Sequence, residues 1–409
     1  MKKTIGAAFL VAGTCIGSGM MALPLVLGKI GILPSFFLML ITWLLMYYTA
    51  LFSIELNLQA GRGLSLGSLG RIFSGFTAEV IGVVSLKLLS YALLAVYISG
   101  LASVFDKLFD MGLSIQTLIT LIALGIFLVL CLPLKILDIF NRFLFITLLV
   151  IFLILIASLF LNIDKSSLPL FGPEALNPLA FSEVIPIVFT SFGFQVIFHT
   201  LANYCNKDKR ILKKAFFYGS LIPAIVYMIW AISILSILYK QDILFYNAMI
   251  SGSITVGELV EKLSNIAQMP YLDHVVWVLS CFAIVTSLIG VGIGLYDSFF
   301  NHFEDHFSKY DYGSWINKLV SSLITVLPAY LVVVLIPKTF IAVLGFAGMI
   351  LVVIAIFLPA FLLIKVKKFS MPNIKYLYYK ELKSDFLINL SIVLGIIVVV
   401  CEVVNLIFS

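Results

Sequence analysis

Three glycines within seven positions, Gly13, Gly17 and Gly19, stand in the stretch "VAGTCIGSGMMALP" (11–24), with Thr14, Cys15 and Ser18 between them and Pro24 at its end. Glycine in a helix interior costs roughly 1 kcal/mol relative to alanine, and proline about 3. The stretch lies inside an apolar run, so a helix there weakens itself in its own middle. The chemistry this offers is backbone chemistry. Unwinding near Gly13–Ser18 frees amides and carbonyls that an intact helix consumes internally. A half-helix restarting near Gly19 turns its first amides and the positive end of its dipole towards the gap, which suits an anion without any charged side chain. A second interruption, "FTSFGFQ" (189–195), places Thr190, Ser191 and Gly193 in the middle of another apolar run, after Pro186 and before "NYCNKDKR". A third group, Ala283, Thr286 and Ser287, has the spacing A-x-x-T-S. Residues three and four apart share a helix face, so the Ala283 carbonyl and the two hydroxyls can converge. The same hydroxyls can equally satisfy carbonyls of their own helix one turn back.

The elements that must position these groups are membrane helices. Hydrophobic residues make up 62% of the 409 positions and charged residues 11%, a balance no soluble domain keeps. Apolar windows fall near 4–28, 32–58, 77–104, 114–134, 139–163, 181–202, 211–238, 271–299, 315–336, 338–364 and 385–408. Their lengths suit eleven helices joined by short loops. They exclude a β-barrel, whose strands alternate over only ~10 residues. "MKK" runs straight into the first window without a small-residue cleavage site, so that window reads as its own insertion signal. With the N-terminus in the cytoplasm, nineteen of the 26 basic residues fall on the inner side, which places the C-terminus outside. The net charge of +6 is this bias; no basic patch carries the interleaved aromatics that nucleic acid needs. The five cysteines share no close spacing and read as small buried apolar residues, with neither a disulfide nor a metal site expected.

The glycine and hydroxyl clusters sit in the first and sixth windows, five helices apart. Five is odd, so the two segments cross in opposite directions, as an inverted repeat of helices 1–5 and 6–10 requires, with an eleventh added. That predicts an all-α polytopic protein with repeats over 1–163 and 164–365, followed by a linker and last helix over 366–409. Gly13-xxx-Gly17 alone would fit close helix packing. Two interruptions in corresponding places point instead to a binding site, because unwound backbone at membrane depth is tolerated only where it lines a cavity or is buried in protein.

"GTCIGSGMMALP" (13–24) resembles the first-helix motif of the amino acid–polyamine–organocation superfamily, which has the leucine-transporter-like five-plus-five fold. "FTSFGF" (189–194) and "AIVTSLIGVGIGLYD" (283–297) narrow the resemblance to the bacterial aromatic amino acid permeases, the tyrosine- and tryptophan-specific carriers of the inner membrane. It covers nearly the whole chain. That family commonly carries histidine after "SFGF"; Gln195 stands there in this chain, which removes a titratable group from the position.

The resemblance implies a monomeric secondary transporter and a zwitterionic substrate, most simply tyrosine. The carboxylate would lie on the amides of Ser18, Gly19 and Met20, and the ammonium on freed carbonyls of Thr14 or Cys15 and of Phe189, Thr190 and Ser191. Side-chain contacts would come from Tyr91, Tyr97, Phe192, Phe194, Gln195 and Phe346. Gln195 could bond a phenolic hydroxyl and so separate tyrosine from phenylalanine. The resemblance also implies that Ala283, Thr286 and Ser287 face the carbonyls of Gly13 and Ile16, five neutral oxygens that could hold a sodium ion; no other cofactor is expected. The rival coupling ion is a proton, which needs a titratable group within the membrane. Lys87, His199 and Glu402 are the candidates, Lys87 first.

Other classes fit less well. A channel wants a polar stripe or rings of like charge. An enzyme wants a nucleophile–base pair or a metal cluster at membrane depth. His302, Glu304, Asp305 and His306 lie together, but in a window-free stretch that reads as a solvated loop. A transporter-like receptor without net transport stays open.

Overall fold

A backbone in hydrocarbon has to satisfy its own polar groups, and the long apolar runs do so as helices. The computed structural model describes residues 2–61, 63–109, 112–161, 168–266, 272–307, 313–336, 339–368 and 377–408, and among these there is no β-strand. The first half of the chain gives α1 (Lys2–Cys15), α2 (Ser18–Leu27), α3 (Ile32–Gln59), α4 (Leu66–Ser74), α5 (Phe76–Phe109), α6 (Ile115–Leu130) and α7 (Leu134–Leu161). The second half gives α8 (Pro178–Ser191), α9 (Phe198–Tyr204), α10 (Lys209–Gln241), α11 (Ile243–Ile250), α12 (Val256–Ile266), α13 (Leu272–Phe307), α14 (Gly313–Leu335), α15 (Thr339–Val352), α16 (Leu358–Lys368) and α17 (Asp385–Phe408). Among the described residues, seven helical stretches are long and apolar enough to cross a membrane by themselves, and α1 with α2, bent by 52° at its break, makes an eighth when counted as one span. The chain is a polytopic α-helical membrane protein.

At the centre, α5 packs against α13 and α15, α1 lies along α10, and α8 is covered by α2, α15 and α17. The outer faces of α6 and α7 expose Leu121, Leu128, Phe143 and Leu153, the apolar surface a lipid-facing helix presents.

Three short helices occupy segments where the sequence reading expects only loops. One of them, α4, buries Leu66, Leu69 and Phe73 while leaving Arg71 and Ile72 exposed, so it lies flat along α5. The others are α11 and α12, and α12 buries Val256, Leu259, Val260 and Leu263 in the same one-sided way.

A further interruption is a turn of π-helix at Val353–Phe357, between α15 and α16. Its cause is Pro359. The ring has no N–H for the Ala355 carbonyl and crowds it, so the ladder widens locally, and the Leu358 amide reaches back to Val353.

The turn after α2 is held by the segment before α8. Ile32 N donates to Pro169 O (3.0 Å), Leu33 N to Leu170 O (2.9 Å), Gly172 N to Ile30 O (2.9 Å) and Glu174 N to Lys29 O (3.0 Å). The Lys29 ammonium pairs with Glu183 of α8. Gly31 has φ +84°, and a Cβ there would meet the Gly172 amide nitrogen at 2.3 Å, so only glycine permits this approach. At the other end of the bundle, Glu55 accepts from the amides of Tyr378 (3.0 Å) and Tyr379 (3.1 Å), and Glu381 pairs with Lys213 of α10.

Candidate functional site

The two interruptions face each other. α1 ends at Cys15, Ile16 and Gly17 leave the helix, and α2 begins at Ser18. α8 ends at Ser191, and Phe192, Gly193 and Phe194 lead into a single 3-10 turn at Gln195–Ile197 before α9. Gly19 and Ser191 are in contact: a Cβ on Gly19 would lie 2.6 Å from both Ser191 Cβ and Oγ.

Each break strands carbonyls, and several of them find partners nearby. The Phe189 carbonyl accepts from Phe192 N (3.2 Å), and Thr190 O accepts from Gly193 N (2.9 Å), so the turn itself consumes both. Thr190 Oγ1 donates to Pro186 O (2.8 Å) and to Leu344 O of α15 (3.1 Å), and Ser191 Oγ to Ile187 O (2.8 Å). In the first break, Thr14 Oγ1 returns to Val11 O at 2.8 Å. The carbonyls of Cys15 and Ser191, at the ends of α1 and α8, find a partner on a third helix. Both meet one hydroxyl, that of Tyr227 on α10, which donates to Cys15 O at 2.5 Å and approaches Ser191 O at 3.1 Å. Tyr227 is fully buried and sets its ring edge-on to Phe192, centroids 5.5 Å apart. One turn on, Trp230 Nε1 donates to Met20 O at 2.7 Å. A single helix thus grips both halves of the first broken span.

α10 is well placed to do so. Asp208 caps its start, accepting from Ile211 N (3.1 Å) and Arg210 N (2.8 Å), and these amides hold its carboxyl below the usual carboxylate range. Neither Tyr227 nor Trp230 is among the residues singled out from sequence. No local pattern marks them, since they act across more than 200 positions of chain.

On the amide side, Ser18 and Gly19 open α2 and have no partner within it. The Met20 amide reaches back to Gly17 O at 3.1 Å, so it is less available than the sequence suggests.

The remaining expected residues divide. Gln195 is buried, with Nε2 on Met46 Sδ (3.3 Å) and Oε1 lacking a partner among the described residues. It lines a cavity of about 50 Å³ together with Ser53, Asn57 and Phe198. Phe189 and Phe194 are buried, and Phe194 packs with Phe198 and Phe216. Tyr97 is buried on α5, and its hydroxyl lies 3.8 Å from where a Gly17 Cβ would stand. Tyr91 donates to Ile324 O of α14 at 2.9 Å, so its hydroxyl is engaged away from the breaks. Phe346 is 38% exposed on α15. The side chains of Ser18, His199, His302, Glu304, Asp305 and His306 lie outside the described ones.

α13 brings Ser287 against the first break: a Cβ on Gly17 would lie 2.2 Å from Ser287 Oγ. Ala283 and Thr286 are buried on the same helix, and Thr286 Oγ1 donates to Phe282 O (2.7 Å) and Ala283 O (3.3 Å). Gly13 lies in the last turn of α1, and Ile16 is buried in the break. Lys87 is partly buried on α5, its ammonium over the Phe299 ring 4.2 Å from the centroid.

The profile of the tryptophan/tyrosine permease family matches residues 1–402. The chain belongs to that family. The permease is 28% identical over 400 residues to tyrosine-specific transport system 1 of Haemophilus influenzae, covering 97% of this chain and 96% of that protein. It is 28% identical over 402 residues to the low affinity tryptophan permease of Escherichia coli K12, covering 96% and 93%. It is 27% identical over 423 residues to glutamine transporter 2 of Aliivibrio fischeri, covering 98% and 99%.

Proposed function

We propose that the permease imports an aromatic amino acid, tyrosine first, by cation symport with alternating access. The observation that carries this reading is the convergence of Cys15 O, Ser191 O and the first amides of α2 between two broken helices. A zwitterion needs an anion site and a cation site about as far apart as its own two groups. Here the amides of Ser18 and Gly19 take the carboxylate, with Met20 as a weaker third, and the ends of α1 and α8 take the ammonium. Neither site needs an ionised side chain, which suits a low-dielectric slab. The ring goes towards Phe192 and Gln195, whose unpartnered Oε1 is free to accept a phenolic hydroxyl. Relatives named for tyrosine and tryptophan support the aromatic substrate, and the relative named for glutamine makes side-chain choice the part most in need of direct test.

The eleven-span inverted repeat belongs to the same proposal: repeats 1–163 and 164–365, then 366–409, in the bacterial inner membrane, N-terminus inside, C-terminus periplasmic, as a monomer. The pairing of α2 with α8 and of α5 with α13 and α15 supports it. For the coupling ion, the contact of Ser287 with Gly17 supports sodium among Gly13, Ile16, Ala283, Thr286 and Ser287. The deciding experiment is counterflow of labelled tyrosine, tryptophan, phenylalanine and glutamine in proteoliposomes, with sodium and pH gradients imposed separately. Strict preference for glutamine, or uptake indifferent to both gradients, overturns the reading. Accumulation driven by pH alone moves the coupling from sodium to a proton, with Lys87 the first residue to change.

A further inference from the structure

The carbonyls assigned above to the substrate ammonium are already held by a protein hydroxyl. We propose that Tyr227 is a stand-in for that ammonium: it occupies Cys15 O and Ser191 O while the site is empty, and yields them when an amino acid arrives. The proposal rests on the reading that these carbonyls bind the substrate amine.

Three observations carry it. Cys15 and Ser191 are the last helical residues of α1 and α8, so both oxygens sit at the negative ends of helix dipoles and both lack the amide four residues on. Left empty in a buried site they would be stranded acceptors, which folded proteins avoid. The Tyr227 hydroxyl, 2.5 and 3.1 Å away, is what prevents this.

It is also a weak holder. A phenol brings one hydrogen for two carbonyls, whereas an ammonium brings three and a charge, and charged donors bond roughly twice as strongly as neutral ones. The substrate group therefore wins the exchange, while a molecule without an amine has nothing to win it with.

The neighbourhood lets the hydroxyl leave. Pro223, one turn before Tyr227 within α10, cannot bond the Gly219 carbonyl, which loosens the helix at that turn. Trp230 keeps the next turn fastened to Met20 of α2. Tyr227 can move between a loosened turn and a fixed one without detaching α10 from the broken span.

Tyr227→Phe keeps the ring that packs on Phe192 and removes only the hydroxyl. Purified variant and wild type, at matched amounts in proteoliposomes, are compared in two modes with labelled tyrosine: net uptake, which requires the empty carrier to reorient, and exchange, which does not. Competition by 3-(4-hydroxyphenyl)propionate, which is tyrosine without its amine, is measured beside them. The expected result is a ratio of net uptake to exchange lowered about tenfold, the scale of one stranded acceptor. The half-saturation concentration of tyrosine in exchange falls, and the desamino analogue competes less well than with wild type. Equal loss in both modes, with both ligands weakened alike, makes Tyr227 a structural residue and overturns the proposal alone. A desamino analogue that rivals tyrosine on the wild-type protein overturns the carbonyl site itself, and the proposal with it.

Discussion

Gly19 stands so close to Ser191 that a Cβ on the glycine would lie 2.6 Å from the serine Cβ and 3.0 Å from its Cα. The first turn of α2 therefore rests on the last turn of α8 with only the Ser191 side chain between them. Gly19→Ala is expected to abolish tyrosine uptake while leaving membrane insertion intact, because the bilayer rewards the apolar segment regardless. Ser191→Gly removes the obstructing atoms, so the Gly19→Ala/Ser191→Gly pair should recover part of the lost uptake, the non-additivity expected of residues in contact. A double variant as inactive as Gly19→Ala would show that the close approach is not what the glycine supplies.

The contact between α13 and the first break gives a test of the ion. Thr286→Val with Ser287→Ala removes two of five neutral oxygens. Sodium affinity should fall by about tenfold or more, and tyrosine affinity should fall with it, since coupling between two ligands is reciprocal. Tyrosine binding titrated against sodium at fixed ionic strength reads both. Unchanged titrations would remove sodium from this junction.

Glu402 of α17 is fully buried, and among the described residues neither carboxyl oxygen has a well-formed hydrogen bond, with Asn405 the neighbouring side chain that approaches it. It fits because Gly345 of α15 leaves room: a Cβ there would lie 2.5 Å from Glu402 Oε2. Gly345→Ala should lower the melting temperature in detergent, and Glu402→Ala should absorb most of that loss. An interaction of about 1–2 kcal/mol is expected between the two sites, and strict additivity would mean that α17 sits elsewhere on α15.

Lys213 bonds Glu381 and holds its carboxyl below the usual carboxylate range. A folded-state value below the unfolded one means stability that is present above the unfolded value, about 4.3, and lost as pH falls through the folded value. The side chain is 43% exposed, so the effect is modest, under about 1 kcal/mol. Melting temperatures taken from pH 6 down to about 3 should fall further for wild type than for Glu381→Gln. Parallel curves would mean that the pair contributes nothing to stability.

What could be read from the sequence follows from the range of the forces involved. The breaks at Ile16–Gly17 and at 192–194 fall where glycine and hydroxyl residues gather, because unwinding is a local property of those residues. Pro359 carried a comparable signal for the π turn at Val353–Phe357, but one proline among long apolar runs is easily taken for a tolerated kink. Amphipathic α4 and α12 escaped because they are too short for a span and too polar for a hydropathy window. Tyr227 and Trp230 could not be found at all. In a chain with 14% aromatic residues, nothing near them distinguishes a ring that faces lipid from one that reaches a carbonyl 212 positions away.

The backbone splint between the turn after α2 and the segment before α8 has a consequence for how the protein can be watched at work. Four backbone hydrogen bonds and the Lys29–Glu183 pair make the two half-helices travel as one piece. Labels on the exposed residues Leu33 and Leu179 should therefore keep a constant separation whatever is bound. That separation is a built-in ruler, and the displacement of every other helix can be measured from it.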